Sequence, residues 1–423
     1  MPTPFSLHLR QFSVGLGFNN TAECAAASSY PGIRVMSIYD NTSSTPRDYI
    51  YPTYLLPWST PSKTTVCGGG WGYFSAICWY TFRGVYEALN VPQGLISTSF
   101  GGSRLEEWMS PAALAVCPVN ATAPPAPLQS GIWNVMLTPF TIGPMAVRTN
   151  LWYQGEGNVA FDAATGDPNW YGCALEAMAS DWRVALPGLS TFGAFSIAAC
   201  ACYPGLTAAA DIRQATYAPL LAATPKFAFV TAVDWANASN PGLIHPTIKQ
   251  PVAARMTAQL LAIEYGAAPA AAAAVPLYAG AAQAPGGGPL AVHVALAGCG
   301  AGCVLGPAPP CPAPEPVAQC GDQFSVLVSA GAAPPAWLPA SGAMAAGGAV
   351  LVLTPQGAPA GARALATAYG RGNFPLISLY AAPVPGQALP ALPVLPWCFA
   401  VGAATGAVPC YAPTFPAVAA GGV

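Results

Sequence analysis

Val147-Arg148-Thr149-Asn150-Leu151-Trp152-Tyr153, followed directly by Gln154-Gly155-Glu156-Gly157-Asn158, is the stretch on which the fold turns. Its first seven residues end in an apolar and aromatic run that reads as a buried strand. The next five break that run with two glycines and carry an amide, a carboxyl and a second amide. The pattern recurs on both sides. Tyr73 to Leu89 has helix-spaced apolar residues and stops before Pro92, and Gly94 to Thr98 is a short strand. Asn169 to Arg183 reads as a helix, Phe192 to Ala198 as a strand, Asp211 to Ala222 as a helix and Phe227 to Val233 as a strand. Thr247 to Tyr265 closes the series as a helix. Alternation of this kind predicts an α/β domain with a parallel sheet.

Charge marks the end of that domain. Beyond Glu264 the only charged residues are Glu315, Asp322, Arg363 and Arg371. The expected division is therefore an α/β domain over 1–266, an Ala/Pro/Gly-rich linker or loop over 267–288, and a β-rich region over 289–423. Runs such as Phe324–Val328 and Ala349–Leu353 supply strands to the last of these.

Composition excludes several classes of function. Charged residues are 7% of the 423, against roughly 25% in an ordinary soluble domain. A membrane protein would combine that with about 20 uninterrupted apolar residues. Here the longest apolar tract is cut by Pro269, Pro276, Pro285 and Pro289, so no membrane span is expected. The 11 Trp, 17 Tyr and 16 Phe give ample core material and argue against disorder. A net charge of −2 removes a nucleic-acid footprint. Thirteen cysteines occur with no Cys-x-x-Cys pair and only three histidines, which favours disulfides over a metal site. Sequons at Asn19, Asn41, Asn120 and Asn237 also point to the secretory pathway, extracellular or lysosomal/vacuolar. Met1-Pro2-Thr3-Pro4-Phe5, by contrast, has neither the basic nor the apolar segment of a signal peptide.

In a parallel α/β sheet, sites form in the loops that follow the carboxyl ends of strands. Three such loops carry unusual residues: Ser99-Phe100-Gly101-Gly102-Ser103 with Glu106 and Trp108 beyond it; Gln154 to Asn158; and Asp234 with the segment to Ile244-His245-Pro246-Thr247-Ile248-Lys249. A glycine pair exposes backbone N–H groups, Gln adds a side-chain donor, and His supplies a base. Brought together, these are the parts of an acyl-transfer site.

The blocks Ser97-Thr98-Ser99-Phe100-Gly101-Gly102-Ser103, Trp152-Tyr153-Gln154-Gly155-Glu156 and Ile244-His245-Pro246 with Lys249 resemble those of the SGNH (GDSL-like) hydrolases, the sialate O-acetylesterases in particular. Lesser similarities extend from about Gln11 to Phe399. The resemblance implies an SGNH-type three-layer α/β/α fold. It implies a cofactor-free carbohydrate O-acetylesterase acting on an O-acetylated sugar or glycan by acyl-enzyme chemistry. It makes His245 the general base, Gly102 and Gln154 the oxyanion donors, and Gly101, Glu156 and Asn158 supports of the loops. Gly157 departs from the serine common in the family. Asp three residues before the histidine is also missing, since that position is Gly242, so Asp234 is the candidate to orient His245. Arg213 is a candidate for a substrate carboxylate and Trp108 for a sugar contact; a helix-surface role for Arg213 and a core or cleft-wall role for Trp108 stay open. Glu106 and Glu107 read as first-turn helix acids, and His293 as a structural residue.

The same resemblance exposes a gap. Counting back from Gln11-Phe12-Ser13-Val14 puts His8 where the family has its nucleophilic serine, with Ser6 two residues away. With only seven residues before His8, the first sheet strand is expected to be largely missing. Three readings follow: a chain whose natural start lies upstream, a pseudoenzyme that binds glycans without turnover, or an enzyme that uses Ser6. An acetylesterase on wall polysaccharides is the alternative in substrate.

Overall fold

A computed structural model of the chain describes residues 5–9, 12–51, 54–70, 73–118, 129–143, 145–159, 167–203, 208–236, 240–286, 288–307, 309–311, 320–382, 391–402 and 409–410. The first unit is built on seven strands: β1 (Phe5–Leu9), β2 (Ile33–Ile38), β3 (Tyr54–Ser59), β4 (Gln93–Thr98), β5 (Val147–Tyr153), β6 (Thr191–Ser196) and β7 (Phe227–Thr231). They lie in the order β3-β2-β4-β1-β5-β6-β7. All are parallel except the edge pair β2 and β3, which is antiparallel. Every residue of β4, β6 and β7 is buried. Burial along a whole strand requires cover on both sheet faces, which is why these segments read as unbroken apolar runs.

The first strand is present. Phe5 to Leu9 lies at the centre of the sheet, pairing with β4 from Phe5↔Gly94 to Leu9↔Thr98 and with β5 on its other side. This corrects the expectation of a missing strand. Phe5-Ser6-Leu7-His8-Leu9 alternates apolar and polar residues with the strand period of two, and five residues are enough to bridge two neighbouring hydrogen-bonding edges. The side chains of Ser6 and His8 lie outside the described residues.

Helices connect the strands with recognisable stops. The helix Ala76–Leu89 starts at Ser75, whose Oγ accepts from Cys78 N–H, and ends at Asn90 in the left-handed conformation. The helix Pro168–Ala185 is capped by Asp167, which accepts from Asn169 N–H at 2.9 Å. The helix Gln250–Ile263 leads into Glu264, which ties the amino ends of β5 and β6 by accepting from Arg148 and Thr191. Burial alone would raise the Glu264 pKa. Hydrogen bonds from Thr191, Ser190 and Arg148 outweigh it and hold the carboxyl below its ordinary value.

A second compact unit is composed of residues 198–215, 236–244 and 274–423. Its strands are β8 (Leu277–Gln283), β9 (Val292–Ala297), β10 (Cys303–Leu305), β11 (Phe324–Ser329), β12 (Ala336–Met344), β13 (Val350–Pro355), β14 (Arg363–Tyr369), β15 (Leu379–Ala381) and β16 (Trp397–Ala400). Seven of them form an antiparallel sheet in the order β16-β14-β11-β12-β13-β9-β8, and β10 pairs with β15. The expected linker over 267–288 thus contains a strand, β8, which pairs along its length with β9. Its Tyr278 packs on Trp397 and Phe399, an anchor that outweighs the loop-like Ala/Gly composition around it. His293 sits on an exposed position of β9.

Six disulfides join Cys24–Cys67, Cys117–Cys173, Cys200–Cys202, Cys299–Cys303, Cys311–Cys320 and Cys398–Cys410. Cys78 is free and buried, and burial pushes its thiol pKa up. No described helix is long and apolar enough to cross a membrane. Of the sequon residues, Asn19 is exposed and Asn41 half-buried, while Asn120 and Asn237 lie outside the described residues.

Candidate active site

The sheet order reverses its direction of growth at β1, which places a crevice beyond the carboxyl ends of β4, β1 and β5. The loops after β4 and β5 meet there and lock together through a buried polar network. Gln154 Nε2 donates to the Ser103 carbonyl oxygen at 3.1 Å and to Asn158 Oδ1 at 2.8 Å. Asn158 Oδ1 also accepts from Leu105 N–H at 3.0 Å, and its Nδ2 donates to Glu106 Oε2 at 3.1 Å. Tyr171 OH lies 3.0 Å from Gln154 Oε1, and Trp108 Nε1 donates to Ser103 Oγ at 2.9 Å. Glu106 is fully buried beside Arg104. Burial raises its pKa, while the Asn158 hydrogen bond and the Arg104 charge pull the other way.

This network reassigns several residues. Both protons of the Gln154 amide are engaged, so the side chain holds the Gly101-Gly102-Ser103 loop instead of presenting a donor to an oxyanion. Asn158 bonds to both loops through its amide. Trp108 is 1% exposed and packs edge-on against Trp152, which corrects the expectation of a sugar contact and leaves it as core. Glu107 caps the Leu105–Trp108 turn by accepting from Arg104 N–H. Glu106, read from sequence as a first-turn helix acid, holds that position and is also an interior member of the network.

Two glycines are required by geometry. Gly102 has φ +75°, a left-handed conformation that side chains resist. At Gly157 an added Cβ would collide with the Ser103 carbonyl oxygen and stand 3.1 Å from that of Gly102. The departure from serine at Gly157 therefore matches a close backbone approach between the two loops.

Beside this locked region lies a small cleft lined by Phe12, Ser75, Ile77, Tyr153, Glu156, His245 and Lys249. Tyr153 ends β5, Glu156 follows it by three residues, and Phe12 stands three residues beyond β1. Lys249 Nζ lies 5.1 Å from the Tyr153 ring centre and 5.2 Å from that of Phe12, so aromatic faces hold the ammonium in place. Glu156, expected only to support its loop, is a wall of the cleft, 3% exposed. Asp234 is held elsewhere: Arg255 donates to its Oδ1 at 2.8 Å and to its Oδ2 at 2.6 Å, a forked pair that occupies both oxygens. Among the described residues no group of three or more His, Cys, Asp or Glu is arranged to hold a metal.

Arg213 belongs to the second unit. It is 1% exposed and donates to the carbonyl oxygens of Ala198, Gly372 and Asn373. Its burial corrects the helix-surface expectation.

The fold is shared with a solved structure. A carbohydrate acetylesterase from Xanthomonas citri superposes with a TM-score of 0.72 at 21% identity, over 93% of this chain and 80% of that one. The common architecture is mixed α/β with a parallel sheet and a β-rich C-terminal region. In sequence the chain is similar to the sialate O-acetylesterases. The Pongo abelii protein of that name is 30% identical over 174 residues, 39% of this chain and 32% of that protein. The Rattus norvegicus protein is 26% identical over 297 residues, 59% of this chain and 53% of that protein. The alignments thus span from about a third to about half of these relatives. No protein-family model matches the chain.

Proposed function

We propose that the protein is a carbohydrate O-acetylesterase of the SGNH type, hydrolysing acetyl esters on sugars without a cofactor. The observation that carries this reading is the convergence of His245, Glu156, Lys249 and Ser75 on one cleft at the carboxyl ends of a parallel sheet. In this reading His245 is the base that takes a proton from the attacking hydroxyl and returns it to the sugar oxygen. Backbone N–H groups of the Gly101-Gly102 turn stabilise the oxyanion. The curated relatives named sialate O-acetylesterase support the acetyl ester as the bond attacked. The six disulfides support a secretory location.

A second reading, glycan binding without turnover, is favoured by His8 at the position where the family has its nucleophile. Release of acetate from O-acetylated sialic acid, acetylated xylan and p-nitrophenyl acetate separates the two. Turnover of any of them that disappears in His245→Ala supports the esterase. Binding of the sugars with no release of acetate supports the second reading. The preferred substrate identifies the sugar.

A further inference from the structure

The geometry points to Ser75 as the acyl-accepting nucleophile of this chain. This inference rests on the esterase reading and supplies the group that reading lacks. Among the described residues that line the cleft, Ser75 alone carries an aliphatic hydroxyl. Tyr153 offers only a phenol, and its ring is stacked on Phe195 and faced by Lys249. An acetyl group taken by the Lys249 amine would form an amide, which does not turn over.

Ser75 is also prepared for the role. It is 1% exposed, so water does not compete for its hydroxyl. Its Oγ accepts from Cys78 N–H at 3.3 Å, and among the described residues no acceptor takes its own proton. That proton is therefore available to the imidazole with which Ser75 shares the cleft. The backbone around it is fixed by a bridge to Ser13, with Val14 N–H donating to Phe74 O at 3.1 Å and Ala76 N–H to Phe12 O at 2.8 Å. The fourteen-residue helix that Ser75 caps places its positive end at the oxygen and stabilises developing negative charge there. Ser13 is an internal control: among the described residues its hydroxyl is buried and without a partner, and it is not part of the described cleft wall.

The step balances as ordinary acyl transfer. Ser75 Oγ bonds to the acetyl carbonyl carbon as its proton passes to His245. The tetrahedral intermediate expels the sugar oxygen, which takes that proton. Water then attacks the acetyl-serine, giving its proton to His245 and then to Oγ, and acetic acid leaves.

The test is covalent labelling of the full chain with diisopropyl fluorophosphate, mapped by peptide mass spectrometry, beside p-nitrophenyl acetate turnover. The expected result is one adduct, on Ser75, with turnover lowered at least ~10³-fold in Ser75→Asn and unchanged in Ser13→Ala. Asn keeps the helix cap, so loss in Ser75→Asn with an unchanged melting temperature is chemical and not structural. Turnover that survives Ser75→Asn, or an adduct on another side chain, overturns the assignment and leaves the esterase reading standing. A wild-type chain that neither labels nor releases acetate overturns both.

Discussion

Two neighbouring regions grow from the same five-residue loop and use their polar groups in opposite ways. In the network of Gln154, Asn158, Glu106 and Ser103, donors and acceptors meet inside the protein. Glu156, His245, Lys249 and Ser75 instead turn toward a common cleft. Residues 154 and 158 belong to the first and residue 156 to the second. The separation has a physical cause. A polar group buried without a partner costs about 1–3 kcal/mol, so the inward side chains are paired with one another and rigidify the two loops. Rigid loops in turn hold the cleft groups in position. The contrast predicts that substitutions in the network are read in stability and those in the cleft in rate.

The largest expected effect is in the cleft. His245→Ala should lower kcat/KM for acetyl esters by ~10³-fold or more while the melting temperature stays within a degree or so. A fall in melting temperature with activity retained would move His245 to the structural side. Gln154→Ala tests the border between the regions. It should cost about 2 kcal/mol of stability, seen as a lower urea midpoint, with less than about a tenfold loss of kcat. A loss of about a hundredfold in kcat at unchanged stability would return Gln154 to the oxyanion site.

Smaller effects sharpen the contrast. Gly157→Ser pushes a Cβ against the Ser103 carbonyl. It should destabilise the chain by about 1–3 kcal/mol, whereas Gly101→Ala, with open space around its Cβ, should be better tolerated. The smallest effect is a pH slope. Burial raises the Glu106 pKa in the folded chain. Its contribution is fully present below the unfolded value of about 4.3 and is lost as pH rises through the higher folded value. Glu106→Gln should flatten the decline of melting temperature with pH in that window, and parallel curves for the two proteins would remove Glu106 from the network.

Much of the fold was legible because it rests on local periodicity. The helix read at Tyr73 to Leu89 is Ala76–Leu89, and the one at Thr247 to Tyr265 is Gln250–Ile263. The strand at Val147 to Tyr153 agrees at both ends. What escaped was short or masked by composition. β1 has five residues and its place depends on two partners distant in sequence. β8 lies in an Ala/Gly-rich stretch whose residues favour no element by themselves. Of the candidate site, the sequence singled out the loops after β4 and β5 and the histidine that lines the cleft. It misplaced Glu156, Gln154 and Arg213, because a side chain's partner is not encoded near it.

The sequence alone determined most of the helices and the long buried strands of the α/β unit, and which loops hold residues capable of acid–base chemistry. Periodicity, capping and turn preference act over a few residues and can be read there. Only the tertiary structure decided that Asp234 is taken by Arg255, that Arg213 serves backbone carbonyls, that Gln154 is spent on a loop, and that Ser75 shares a cleft with His245. Each of those outcomes depends on which groups are buried together, and burial is a property of the packed chain.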